Sequence, residues 1–363
     1  VERCDFSTTQ ALPEVSDAEA NREGAWMRLA RTITRVENGE LAIASLPAPK
    51  KHAPVIGLTG TGGAGKSSLT DELVRRFLHD FPEKTVAVLC IDPTKKKTGG
   101  ALLGDRIRMN SLKSPRAYMR SMATRGSGSE ISDAAKNALA ALQSHGFDLI
   151  FVETAGIGQG DSEIVDISDV SLYVMTAEYG APSQLEKIEM LDHADFVAIN
   201  KFTRRGSLDA IRDVRRQIQR NRKLWDTKAE SLMVFGTSAA HFNDNGVSAL
   251  YANLVEHMNA KFSLGWSSKV QATSHRTTDT NQQIIGQGRE RYLSEISESC
   301  REYDQWAREQ VGLADDVAAL ARASELLGGP KTWFVPFGDA AIEASTPRAQ
   351  DLMREHDAKL LRM

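Results

Sequence analysis

Residues 60–68 read Gly60-Thr61-Gly62-Gly63-Ala64-Gly65-Lys66-Ser67-Ser68, the spacing G-x-x-x-x-G-K-[ST]. A β-branched run, VIGLT, stands before this stretch, and a helical pattern, SSLTDELVRRFL, follows it. Strand, glycine-rich loop and helix are the context the spacing needs. The glycines let the backbone curl until successive N–H groups point at phosphate oxygens. The helix N-terminus adds its dipole. Gly62, Gly63, Ala64 and Gly65 are therefore expected to cradle phosphate, with Ser68 at the helix start. Lys66 is expected to reach the β- and γ-phosphates, and the Ser67 hydroxyl to bind Mg²⁺.

Outward from the loop, short apolar runs alternate with helical stretches over 54–260: PVIGLTG, KTVAVLCID, LIFVETAG, VSLYVMTA, FVAINKF and MVFGTSA. Runs that are apolar throughout suit strands buried on both faces. Alternation with helices predicts an α/β fold, a mostly parallel sheet with helices on both faces. Asp92 ends the second run and Glu153 the third, so both carboxylates face the phosphate crevice. Mg²⁺ takes oxygen ligands and needs only one or two carboxylates besides phosphate and water. Asp105, on the glycine-rich GGALLGDRIRMN, is a further metal candidate. Helix capping is the plainer role for each of these acids. Gln159, among Gly156, Gly158 and Gly160, could orient water for hydrolysis or lie idle on the surface. Lys95-Lys96-Lys97 reads first as a solvated face.

The fifth run ends in Asn200-Lys201-Phe202-Thr203 and the sixth in Thr237-Ser238-Ala239. Their order is that of GTPases, whose base loop reads N-K-x-D. There the Asp carboxylate accepts from both guanine donors, N1–H and the 2-amino group. Thr203 stands in its place and cannot accept both, and a planar two-point base contact is worth about 1–3 kcal/mol. Guanine selectivity is expected to weaken unless Asp209 or water substitutes, and ATP use becomes an alternative. A phosphate loop of the ParA/MinD-type ATPases would carry a Lys where Thr61 and Gly62 stand.

The 363 residues, 41% of them hydrophobic, can bury one large domain or two ordinary ones. A formal net charge of −3 gives no nucleic-acid footprint. Cys4, Cys90 and Cys300 are scattered without C-x-x-C spacing, which suits a reducing, cytoplasmic setting and no zinc site. No apolar run is long enough for a membrane span. Three zones are expected: a helical linker over 1–50, the phosphate-loop domain over 51–262, and a helical docking arm over 263–363. Trp26, Leu29, Ile33 and Val36 form one helix stripe, stopped by Asn38-Gly39. Two helices are expected in the arm around Tyr292–Tyr303 and 314–329, then a last one from about Pro347 to Leu361. The arms either dock and dimerise or simply cover the flanks of the sheet.

GTGGAGKSSLTDELVRRF, IDPTKKKTGGALLGDRIRMN, FVETAGIGQGDSEI, LYVMTAEYGAPSQLEKIEMLDHADFVAINKF and RYLSEISESCREYDQWAREQ together resemble the G-protein segment of the fused isobutyryl-CoA mutases. That segment is similar to the GTPase chaperones of methylmalonyl-CoA mutase. The resemblance covers about residues 26–310. It implies a signal-recognition/MinD-type GTPase fold, a homodimer, and GTP/GDP with Mg²⁺ as ligands. It also implies a partner, an adenosylcobalamin-dependent acyl-CoA mutase whose cofactor is loaded and guarded under nucleotide control. Lys66, Glu153 and Gln159 become the catalytic candidates. Ser67, Asp92, Asp105 and Glu153 surround the metal, and Asn200, Lys201, Thr203, Ser238 and Ala239 form the base site. Glu178–Lys187 matches a third switch that meets the partner, with Gln184 and Lys187 as its polar contacts. No histidine completes D-x-H-x-x-G, so no cobalamin site is expected in this chain. The rival from another class is a nucleotide-indifferent scaffold that links mutase domains.

Overall fold

The six apolar runs and one further segment form the strands of the described residues: β1 (Val55–Gly60), β2 (Val86–Asp92), β3 (Ala117–Ala123), β4 (Leu149–Thr154), β5 (Val170–Thr176), β6 (Phe196–Asn200) and β7 (Val234–Gly236). The computed structural model describes residues 22–49, 51–92, 109–123, 131–154, 156, 161–180, 182–270, 276–279, 292–327, 336 and 347–361. The strands form one sheet in the order β3-β2-β4-β1-β5-β6-β7, and every neighbouring pair is parallel. Strands β2–β4 lie on one side of β1 and β5–β7 on the other. The connections diverge there, so a crevice opens at the carboxyl end of β1.

Six of these strands match the apolar runs. The seventh, β3, corrects the sequence reading. AYMRSMA carries Arg120 and Ser121 at its centre, which breaks the apolar run. Among the described residues only β2 pairs with it, and an edge strand tolerates those half-exposed polar residues.

Helices cover both faces. On one side, α1 (Arg22–Glu37), α3 (Asp133–His145) and α4 (Ser207–Asn221) bury Leu29, Ile33, Ala138, Leu142 and Val214 against Ala87, Leu89, Ile150 and Val197. On the other, α2 (Lys66–Asp80) and α5 (Asn245–Phe262) bury Leu73, Phe77, Leu250 and Leu254 against Leu58, Val88, Phe151 and Phe196. Alternate strand residues serve the two cores, as the pleat requires. Each fully buried large apolar side chain contributes about 1.5–3 kcal/mol. Asp80 sits at the C-terminal end of α2, where the helix dipole disfavours a carboxylate. It accepts from the Tyr251 hydroxyl at 2.8 Å, the Ser268 hydroxyl at 2.7 Å and the Lys269 amide at 2.7 Å. Those bonds tie α2, α5 and the following segment together.

The N-terminal helix α1 packs on the sheet's flank. Trp26 stacks on Phe147 with ring centroids 5.3 Å apart and donates to Pro115 O at 3.3 Å. Arg120 of β3 pairs with Glu37 at 2.9 Å.

The chain to Ile284 forms one compact unit and Ile285–Met363 another. In the second, α6 (Tyr292–Leu326) and α7 (Pro347–Leu360) bury Ala321, Ala349 and Met353, and Lys359 bonds Asp316 at 2.7 Å. The expectation of two helices before α7 is corrected: α6 is one 35-residue helix, with Gly312 in its interior.

Candidate functional site

The loop after β1 is shaped at its glycines. Gly65 caps α2 with φ +90°, and a Cβ there would lie 2.6 Å from Asn200 Nδ2. Gly156, with φ +68°, comes close from the β4 side. A Cβ on it would sit 1.7 Å from Gly60 O and 2.4 Å from Lys66 Nζ. Thr61 N–H donates to Val174 O at 3.1 Å and Ala64 N–H to Thr61 O at 3.1 Å, which folds the loop over β1 and β5. Gly62 and Gly63 are exposed. Lys66, Ser67 and Ser68 start α2, where amides have no intrahelical acceptor. The result is a cluster of N–H groups suited to an anion.

Lys66 is buried, and its ammonium donates to Gly60 O at 2.9 Å and Thr61 O at 3.3 Å. Its charge is held directly beneath the loop. The Ser67 hydroxyl donates to Glu153 Oε1 at 2.6 Å, and Thr70 donates to Glu153 Oε2 at 2.9 Å. Glu153 is 5% exposed. The loop serine and the carboxylate from the end of β4 therefore meet. Asp92 ends β2 beside them in the sheet and is buried too. Hydroxyl and carboxylate oxygens are the donor set of a hard cation such as Mg²⁺. Among the described residues no three histidine, cysteine or acidic groups converge on one metal position. Asp105 and Gln159 lie outside the described residues.

The base side is bound tightly to the phosphate side. Asn200 Nδ2 donates to Ala64 O at 2.8 Å, and Lys201 Nζ to Gly63 O at 2.7 Å. Asn200 Oδ1 accepts from Ala239 N–H at 3.1 Å and Thr237 Oγ1 at 3.2 Å. One side chain thus joins the phosphate loop, the loop after β6 and the loop after β7. Lys201 adopts φ +56°, a conformation that costs a non-glycine residue energy and is kept where the surroundings fix it. Phe202 buries its ring below this turn, and Thr203 is exposed. Asp244 caps α5, and its Oδ2 accepts from Val247 N–H at 2.9 Å and Ser238 N–H at 3.1 Å. Burial pushes its carboxyl above the usual range, against the pull of those two amides and Thr278.

Glu178 lies in the turn after β5 and pairs with Arg204, one residue past Thr203. The hydroxyl of Thr176, the residue's own amide and Arg204 hold its carboxyl down to about 2. Gln184 and Lys187 are both exposed in the segment that follows. The backbone at Gly180 comes so close to α4 that a Cβ would meet Ala210 Cβ at 2.5 Å.

A family model described as "Methylmalonyl Co-A mutase-associated GTPase MeaB" matches residues 29–295. The chain belongs to the MeaB family. Among curated relatives of this MeaB-family chain, a fused isobutyryl-CoA mutase of Geobacillus kaustophilus is 47% identical over 337 residues. That match covers 90% of this chain and 31% of the relative. The fused isobutyryl-CoA mutase of Nocardia farcinica is 46% identical over 99% of this chain and 33% of its own length. The chain spans about a third of the length of these relatives. A Pyrococcus horikoshii protein with a GTPase designation is 34% identical over 66% of this chain and 76% of itself. A solved LAO/AO transport system kinase aligns over 97% of this chain and 100% of its own at 16% identity, with a TM-score of 0.44. That likeness is too loose to carry function. The family, the sheet order and the loop together make this MeaB-family chain a P-loop GTPase. No described helix is long and apolar enough to cross a membrane.

Sequence reasoning missed three residues of this site: Thr70, Asp244 and Arg204. Two of them carried a signal. Thr70 lies one turn after Lys66 and shares its helix face. Asp244 precedes a helical pattern at a position where aspartate is a preferred cap.

Proposed function

We propose that this chain binds and hydrolyses GTP with Mg²⁺ and acts as the nucleotide-driven chaperone of an adenosylcobalamin-dependent acyl-CoA mutase of the isobutyryl-CoA type. In that role it gates loading and protection of the cofactor, acting as a homodimer. The observation that carries the nucleotide half is the contact of Ser67 with Glu153 beside a buried Lys66. The mutase half rests on the family and on the fused relatives.

In this reading Lys66 leaves the carbonyls of Gly60 and Thr61 for the β- and γ-phosphates. The ammonium then offsets charge that develops in the transition state. Ser67, Glu153 and Asp92 would hold Mg²⁺, which would supply neutralisation of the phosphate charge. Ser67 would turn its hydroxyl oxygen from Glu153 toward the ion, and Asp92, Asp105 and Glu153 would be the carboxylates available to it. Glu153, released from Ser67, would be able to accept a hydrogen bond from the attacking water, with Gln159 as the residue that would orient it. Asn200 and Lys201 keep the base loop fixed on the phosphate loop. Glu178, Gln184 and Lys187 face the mutase.

The test is GTP turnover in the presence and absence of Mg²⁺ and of an isobutyryl-CoA mutase, for the chain and for Lys66→Ala. Slow, Mg²⁺-dependent turnover that the mutase accelerates is expected. Lys66→Ala should lower it by roughly 10²–10³-fold, the scale of losing one preorganised stabilising group. Unchanged turnover in Lys66→Ala would overturn the proposal.

A further inference from the structure

We infer that the base site reads the 6-oxo group of a purine and is blind to its 2-amino group, so that inosine nucleotides are used as well as guanosine nucleotides. The inference rests on the nucleotide site proposed above and narrows its substrate class.

Two loops flank the site, and their polar groups divide unequally. In the loop after β7, Ser238 N–H is taken by Asp244 and Ala239 N–H by Asn200. His241 N–H donates to Ser238 O at 2.8 Å. Ala240 N–H, between them, has no protein acceptor among the described residues, and Ala240 is exposed. Asn200 and Asp244 hold the two residues before it, which braces the loop that carries this N–H. An unpaired N–H is a donor for a carbonyl oxygen. Guanine and hypoxanthine present such an oxygen at C6, whereas adenine presents an amino group with hydrogens of its own. Two donors facing each other leave a polar group unpaired, which is how a site rejects a near-isostere.

The other edge of the base lacks its acceptor. Discriminating guanine from hypoxanthine means accepting from the 2-amino group, and a carboxylate does so while also accepting from N1–H. Thr203 offers one hydroxyl oxygen, sufficient for N1–H, which both bases share. Among the described residues, the carboxylates near the two loops are already engaged. Asp209 is exposed on α4 and pairs with Arg212 at 2.9 Å. Asp244 is buried and accepts two backbone amides. Glu178 is engaged by Arg204. Asp279, after the Thr278 that bonds Ser238 at 3.2 Å, is partnered as well.

The experiment is displacement of a fluorescent GDP analogue by GDP, IDP and ADP with Mg²⁺, on the chain and on Thr203→Asp, with Asp279→Asn as a control. GDP and IDP are expected to compete within about threefold of each other, and ADP at least about tenfold more weakly. Thr203→Asp should tighten GDP over IDP by about tenfold or more, 1.4 kcal/mol per decade. A GDP preference over IDP above tenfold in the unaltered chain overturns the inference, and its loss in Asp279→Asn would name the residue responsible. ADP binding as tightly as IDP overturns the 6-oxo half. Failure of the GDP analogue to bind at all sinks the proposed function instead, so the two failures are distinguishable.

Discussion

Glu178 carries a charge that the fold works to keep. Its carboxylate accepts from the Thr176 hydroxyl and from its own amide, and it pairs with Arg204, so it is pulled from 4.5 to about 2. A carboxyl with a depressed folded pKa stabilises the fold above its unfolded pKa and loses that contribution as pH falls through its folded pKa. The window here runs from about 4.5 down to about 2. The pair is half-exposed, so salt screens it and its stabilising effect is small. Its meaning is positional: Arg204 follows Thr203 directly, and Glu178 opens the segment proposed to meet the mutase. Carboxyl NMR should find Glu178 titrating near 2. Thr176→Val and Arg204→Ala should each raise that value. A midpoint near 4.5 in the unaltered protein would show that neither partner holds the carboxyl in solution.

Among the elements, α6 and β3 show what sequence patterning resolves and what it does not. The phosphate loop was legible because its chemistry is local: glycines, a lysine and a serine at fixed spacing between a strand and a helix. Six strands were legible because burial on both faces writes a continuous apolar run. β3 was not, because an edge strand needs only one hydrogen-bonded neighbour and tolerates Arg120 and Ser121. The site's bracing was also illegible: Asn200 meets Ala64 across 136 residues of sequence, and no spacing rule spans that. In α6, Gly312 lies between the two helices expected from the sequence, yet the helix passes through it, and a Cβ there meets nothing within 4 Å. A glycine in an exposed helix interior costs about 1 kcal/mol relative to alanine. Gly312→Ala should therefore stabilise α6 by about that much, read as higher helicity by circular dichroism and a raised melting temperature. Loss of helicity would mean that the helix bends or breaks there in solution.

Across the phosphate-loop unit, its two ends do different work. The described nucleotide candidates lie at the carboxyl ends of the strands: the loop from Gly60 at the end of β1, Asp92 on β2, Glu153 on β4, Asn200 on β6. Trp26 lies at the amino ends. It stacks on Phe147, two residues before β4, packs on Tyr118 at the start of β3 with centroids 5.6 Å apart, and donates to Pro115 O. The helix that precedes the phosphate-loop domain therefore supports the sheet from the end opposite the chemistry. Trp26→Ala removes an indole that is half-buried, so it should cost less than the 3–5 kcal/mol of a fully buried aromatic, about 2–3 kcal/mol. Urea unfolding should show that loss as a lower midpoint with an unchanged slope. Binding of a fluorescent GDP analogue to the folded variant should stay as it is, because the bonds that set the site, from Asn200, Lys201 and Ser67, do not pass through α1. A drop in stability together with weakened nucleotide binding would instead make α1 part of the path between the two ends of the sheet. A change of under about 0.5 kcal/mol, the level of an ordinary surface substitution, would mean that α1 does not unfold with the sheet as one unit.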